Sequence, residues 1–208
     1  MVSRHDVDSA RRLVPSAQVR YVPNVVDVTA IRAKVAGQPK ASSEHPRILM
    51  VGDFTYAPNQ LGRDLLVDEV LPRVWQTLPD VHLTLAGRGM GDWRAADERV
   101  EAAGFVDDLG RMYVQSHCVV VPITEGAGSP LKFIEALAYG VPVVATPLAS
   151  RGLEAVAGVH YREGEDAAAL AAAIVGVVRD GAAAMAAEGA RLAEREYSIE
   201  SLAERLAA

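Results

Sequence analysis

Apolar positions in this chain recur in short β-branched runs separated by longer amphipathic stretches. Arg47–Val51, Val81–Ala86, Val100–Phe105, His117–Val121 and Val141–Ala145 read as strands. Val81, Leu83 and Leu85 alternate with His82 and Thr84, whereas Val119, Val120 and Val121 do not alternate, the pattern of a strand buried on both faces. Between the strands, Leu61, Leu65, Leu66 and Val70 fall near helical spacing and predict a helix from about Asn59 to Trp75, with Pro72 placed to end or kink it. Asp92–Arg99 reads as a short helix. Asp107–Gln115 reads as another, with Asp107 or Asp108 near its cap. Ser150–Val156 is a turn or short helix and Gly158–Tyr161 a last short strand. From Glu165 the chain is alanine-rich and predicts three helices, one to about Arg179, one through about Arg195 and one from Ser198. Upstream, His5–Leu13 is a short polar helix, Gln18–Val22 a brief strand and Gly37–Pro46 a linker by composition.

Strands alternating with helices predict an α/β fold, a Rossmann-like doubly wound parallel sheet with a helical C-terminal tail. Ligands bind such sheets at the carboxyl ends of the strands. The loops starting at Gly52, Gly87, Gly104 and Thr124 all lie there.

The segment from Val119 to Val144 organises this picture. Gly126 and Gly128 allow a tight turn and close approach of a ligand. Ser129 is a good N-cap, Pro130 a good first helical residue and Gly140 a stop. Leu131, Ile134, Leu137 and Ala138 are expected to face the core. Lys132 then lies in the first turn, at the positive end of the helix dipole, where a cation is disfavoured by roughly 0.3–1 kcal/mol. A bound anion would reverse that sign, so close-approach glycines, helix start and lysine together form a candidate phosphate site. Glu135 shares the face of Lys132 and is able to accept hydrogen bonds from sugar hydroxyls. A solvated i,i+3 salt bridge between the two is the alternative.

Composition narrows the function. The 208 residues carry a formal net charge of -6, which argues against a general nucleic-acid or membrane-surface binder. Cys118 is the only cysteine, so a reducing compartment fits, and the expected location is cytoplasmic. No His/Cys cluster predicts a metal, and none is expected in the site. Gly87-Arg88-Gly89-Met90-Gly91 has the spacing G-x-G-x-G rather than G-x-G-x-x-G and follows the second strand of the unit. It reads as a turn lining the crevice, not as a dehydrogenase fingerprint.

The motif GAGSPLKFIEALAYGVPVVAT resembles the signature of GT-B glycosyltransferases of family 4, in the branch whose loop reads roughly G-G-G-T-[RK]-x-K-x-x-E-A. Flanking pieces extend the resemblance in order: Tyr21–Asp27 to the hinge V-P-N-G-V-D, Ile48–Phe54 with Tyr56–Asn59 to the first strand and loop, Val81–Gly89 to the next strand, and Gly104–Leu109 to the loop beside the base pocket. The resemblance implies the C-terminal half of a GT-B fold: residues 1–40 a remnant of the N-terminal acceptor domain and hinge, 41–195 the donor-binding domain, and 196–208 a C-terminal helix. It implies a retaining hexosyltransferase without a cofactor, using a UDP-sugar or GDP-sugar donor and inactive as this isolated piece. Gly128, Ser129, Pro130, Leu131 and Lys132 would hold the diphosphate, Glu135 the ribose, and backbone near Phe105 and Val106 the base, with Gly52 letting the first loop approach.

The expected partners are the nucleotide-sugar donor and, through the N-terminal domain, a glycan, lipid or small-molecule acceptor. Peripheral membrane association of the full protein is left open. Lys132 and Glu125 are the candidate catalytic residues. The family's first acidic position falls on Ala127, and Glu125 is the nearest acid. The Arg and Lys that other branches carry after the first strand are absent. Arg63 and Arg88 are candidate replacements, each read here as a surface charge, and His82 and His117 as structural. A nucleotide-sugar epimerase of the same fold and a non-catalytic nucleotide-binding module are the alternatives.

Overall fold

A computed structural model describes residues 4–38, 45–126 and 130–207. Among them, six strands form one parallel sheet in the order β3-β2-β1-β4-β5-β6: β1 Arg47–Val51, β2 His82–Ala86, β3 Val100–Gly104, β4 Cys118–Val121, β5 Val143–Ala145 and β6 Arg162–Glu163. The order reverses direction between β1 and β4, which opens a crevice at their carboxyl ends.

Period-two alternation divides the core into two layers. Cys118 and Val120 of β4 join Ile48, Met50, Leu83 and Leu85 on one face, while Val119 and Val121 join Leu49 and Val143 on the other. The second layer is closed by α6 (Leu131–Ala138) and α9 (Ala183–Tyr197), the first by α8 (Ala167–Asp180) and the helical stretch after β1. That stretch comprises α3 (Ala57–Asp64), a π-helical turn at Leu65–Val70 and α4 (Leu71–Trp75). Pro72 does not end it. The wider turn before the proline lets the Leu71 N–H donate to the Leu66 carbonyl.

Several expectations are corrected. Residues 92–99 form turns rather than a helix, and 18–22 form no strand. The last strand is Arg162–Glu163, just beyond the expected Gly158–Tyr161. Leu131, expected to face the core, is exposed. Helix α6 starts one residue later than expected, with Pro130 as its extended N-cap. Gly128 and Ser129, and with them the proposed serine cap, lie outside the described residues, as does Ala127. Helix α2 (Val28–Val35), to which the sequence reading assigns no element, is capped by the Asp27 carboxylate, which accepts from Ala30 N at 2.7 Å. It buries Val28 and Ile31.

Candidate functional site

Four loops meet at the carboxyl edge of the sheet. The turns after β1 and β2 are locked together by Gly52 N donating to Ala86 O (3.0 Å) and Phe54 N donating to Arg88 O (2.8 Å). They approach so closely that a Cβ on Gly87 would stand 1.7 Å from the Gly52 carbonyl oxygen. The Arg88 guanidinium donates twice to Asp53 Oδ2, at 2.8 and 2.7 Å. That contact, with the Thr55 hydroxyl, holds the Asp53 carboxyl well below the usual carboxylate range. Arg88 is thus a strut between loops.

Arg63 is not the surface charge expected. It is buried, paired with Asp64 and stacked over the Trp93 ring at 4.7 Å. His117 is structural, since its Nδ1 accepts from Arg47 N at 3.2 Å.

With both arginines engaged, the cation at the crevice is Lys132. Its Nζ donates to Asn59 Oδ1 at 2.5 Å and lies over Gly52, where a Cβ would come within 3.3 Å of the amine. Asn59 is itself buried and donates through Nδ2 to the Asp53 carbonyl at 2.7 Å, so the first loop orients the lysine. Burial pulls the Lys132 amine down to about 8, with Glu135 acting in the opposite sense. Glu135 turns elsewhere: its Oε2 accepts from Tyr113 Oη at 3.0 Å. Each member of the pair is therefore held by a different element, and the two do not close the i,i+3 salt bridge considered above.

Phe105 is exposed beside Val106, at the mouth of a cavity of about 720 Å³ that Gly87, Arg88, Gly91 and Arg94 also line. Gly126 packs near Tyr56 and Pro58 of the first loop. Glu125 is exposed, and residues 127–129 separate it from the helix. The structure thus gathers Gly52, Lys132 and Glu135 around the β1/β4 switch point, with Pro130 and Leu131 at the helix start, and sets Phe105 and Val106 at the rim beyond the β2 turn.

Asn59 and Tyr113 were not among the sequence candidates. In the sequence Asn59 stands out only as the end of the loop after the first strand and the start of the helix that follows. Asn59→Ala is expected to destabilise the protein by about 1–3 kcal/mol, because it strands the Asp53 carbonyl and the lysine's partner contact. Chemical denaturation of the two proteins measures it.

The family model for group 1 glycosyl transferases matches residues 45–180, most of the chain. The chain belongs to the group 1 glycosyltransferases. Phosphatidyl-myo-inositol mannosyltransferases of Mycobacterium tuberculosis and Mycobacterium bovis are 34% identical to this glycosyltransferase chain over 136 residues, covering 61% of it and 34% of each relative. The chain therefore spans about a third of the length of those curated relatives.

Among solved structures, Anabaena HepE in complex with UDP superposes with a TM-score of 0.76 at 16% identity, over 99% of this chain and 61% of HepE. Sucrose-phosphate synthase from Thermosynechococcus elongatus gives 0.73 at 21% identity, over 99% of this chain and 56% of the synthase. These likenesses establish the fold: a Rossmann-like sheet of the kind that forms the C-terminal half of GT-B glycosyltransferases.

Proposed function

We propose that this glycosyltransferase chain binds the donor, a nucleoside diphosphate hexose, and that the intact enzyme transfers the hexose with retention of anomeric configuration. The observation that carries the reading is the Lys132 amine. It is half-buried and, among the described residues, has no carboxylate within ion-pair distance; Asn59 holds it over Gly52 at the switch point of the sheet. A cation desolvated in this way gains most from an anion that shares its crevice. The UDP complexes of HepE and the mannosyl transfer named for the mycobacterial relatives support a UDP- or GDP-hexose.

In this reading the diphosphate rests between the start of α6 and Lys132, Glu135 accepts from the ribose hydroxyls, and the base lies toward Phe105 and Val106. As the glycosidic bond to the diphosphate breaks, negative charge grows on the departing phosphate oxygens. The Lys132 ammonium and the helix's positive pole oppose that charge, so the chain's contribution to catalysis is electrostatic and positional. Glu125, the acid nearest in sequence to the family's first acidic position at Ala127, is the candidate to face the sugar. The acceptor is bound by parts of the intact enzyme beyond this chain.

Calorimetric titration with UDP, GDP, uridine and guanosine tests the reading. One of the two diphosphates should bind at least about tenfold more tightly than its nucleoside, as one charge-assisted contact requires. Absence of binding by either diphosphate at millimolar concentration would overturn it.

A further inference from the structure

Tyr113 is a large, buried polar side chain that the proposed function leaves unused. It lies on α5 (Gly110–Val114), is 1% exposed and donates its only hydroxyl proton to Glu135 Oε2 at 3.0 Å. Its ring stacks on Tyr139, with centroids 4.5 Å apart and planes 9° from parallel. Tyr139 caps the C-terminal end of α6, one turn beyond Glu135. The tyrosine is thus clamped to the helix by its face while its hydroxyl reaches back along the same helix. Helix α5 is itself anchored by Asp108 Oδ1, which accepts from Gly110 N at 3.0 Å.

We propose that Tyr113 is a positioning residue: it fixes the Glu135 carboxylate through Oε2 and thereby presents Oε1 to the hydroxyls of the donor's ribose. The proposal rests on the donor-binding reading above. Glu135 has three rotatable side-chain bonds that must be frozen to aim one carboxylate oxygen at the ribose, and a pre-made hydrogen bond removes much of that ordering cost from binding. Among the described residues, the titratable groups that bear on Glu135 are Lys132 and Tyr139 from its own helix and Tyr113 from α5. Burial raises the Glu135 carboxyl, while the Tyr113 hydrogen bond and Lys132 pull it back. The Tyr113 phenol is pushed far above its usual range by burial and by Glu135, so it remains a proton donor throughout the physiological range.

The test is Tyr113→Phe, which keeps the ring and its stack. Wild type and variant are titrated with UDP, GDP, their 2′,3′-dideoxy forms and inorganic pyrophosphate. The wild type should prefer the ribose form of its nucleotide by about tenfold. The variant should lose three- to tenfold for that form, lose the preference, and bind pyrophosphate as before. Independently of any ligand, carbon-13 NMR of the Glu135 carboxyl should show its titration midpoint move to higher pH in the variant. Nucleotide affinity in the variant should accordingly begin to fall at a higher pH on acidification. A retained ribose preference, an equal loss for all ligands or an unmoved Glu135 midpoint would overturn the proposal. If the wild type binds no nucleotide, the donor-binding reading falls and takes this proposal with it. If it binds and the variant matches it, only the role of Tyr113 falls.

Discussion

Lys132→Met is expected to stabilise the ligand-free protein and, in the same molecule, to weaken diphosphate binding by about 10- to 100-fold. Burial holds the folded amine near 8, below its value of about 10.4 in an unfolded chain. A base with a depressed folded pKa opposes folding when charged. The opposition is complete below about pH 8 and fades as pH rises toward the unfolded value, because the unfolded chain then binds the extra proton.

Methionine fills the same space without the charge but leaves Asn59 Oδ1 without its donor, which offsets part of the gain, so the ligand-free melting temperature at pH 7 should rise by only a few degrees, at roughly 2–4 °C per kcal/mol for a chain of this size. Titration with UDP, GDP and the matching nucleosides reads the other half: diphosphate affinity collapses while nucleoside affinity stays near wild type. In the wild type, diphosphate affinity should decline between pH 8 and 10 as the amine empties. A destabilised variant, or equal losses for diphosphate and nucleoside, would remove Lys132 from the role assigned to it. Opposite signs for stability and binding are what a group retained for its ligand produces.

Gly87→Ala should be the most damaging single-methyl change in the sheet's upper edge. Gly87 has φ +143, a region that L side chains rarely adopt, and the new Cβ would stand 1.7 Å from the Gly52 carbonyl oxygen. Backbone, not a flexible side-chain tip, fills that space, so the turns after β1 and β2 must separate. A loss of roughly 3–5 kcal/mol is expected, which is a fall of about 10 °C or more in melting temperature. Because the same displacement moves Gly52 and Asp53, and through them Asn59 and Lys132, affinity for UDP or GDP should fall too. An unchanged melting temperature would show that the two loops are not locked as described.

Much of this architecture is legible in the sequence because burial on both faces of a parallel sheet leaves a local mark. Ile48–Val51 and Cys118–Val121 are apolar runs that only a double layer accommodates, and both are strands where expected. Helix α6 reads from its own spacing and from Gly140, although Leu131 turned out to face solvent. The misreadings share a cause. Residues 92–99 carry helix-forming residues but little apolar surface to pack, so turns prevail there. Helix α2 is short, and its stability comes from Val28 and Ile31 meeting a core that its own eight residues do not announce. Arg63 looked like a surface charge because nothing adjacent in sequence reveals Trp93, thirty residues on, as the ring beneath it.

The sequence by itself determined that this is an alternating α/β chain with a lysine and a glutamate one turn apart at a helix start beside a sheet edge. Periodicity and turn chemistry are local properties, and they suffice for that. Only the tertiary structure decided what the two charged groups do with each other. Lys132 turns to Asn59 and Glu135 to Tyr113, partners 73 and 22 residues away. A hydrogen bond across such a separation depends on strand order and loop packing, which bring the residues together only once the sheet has closed.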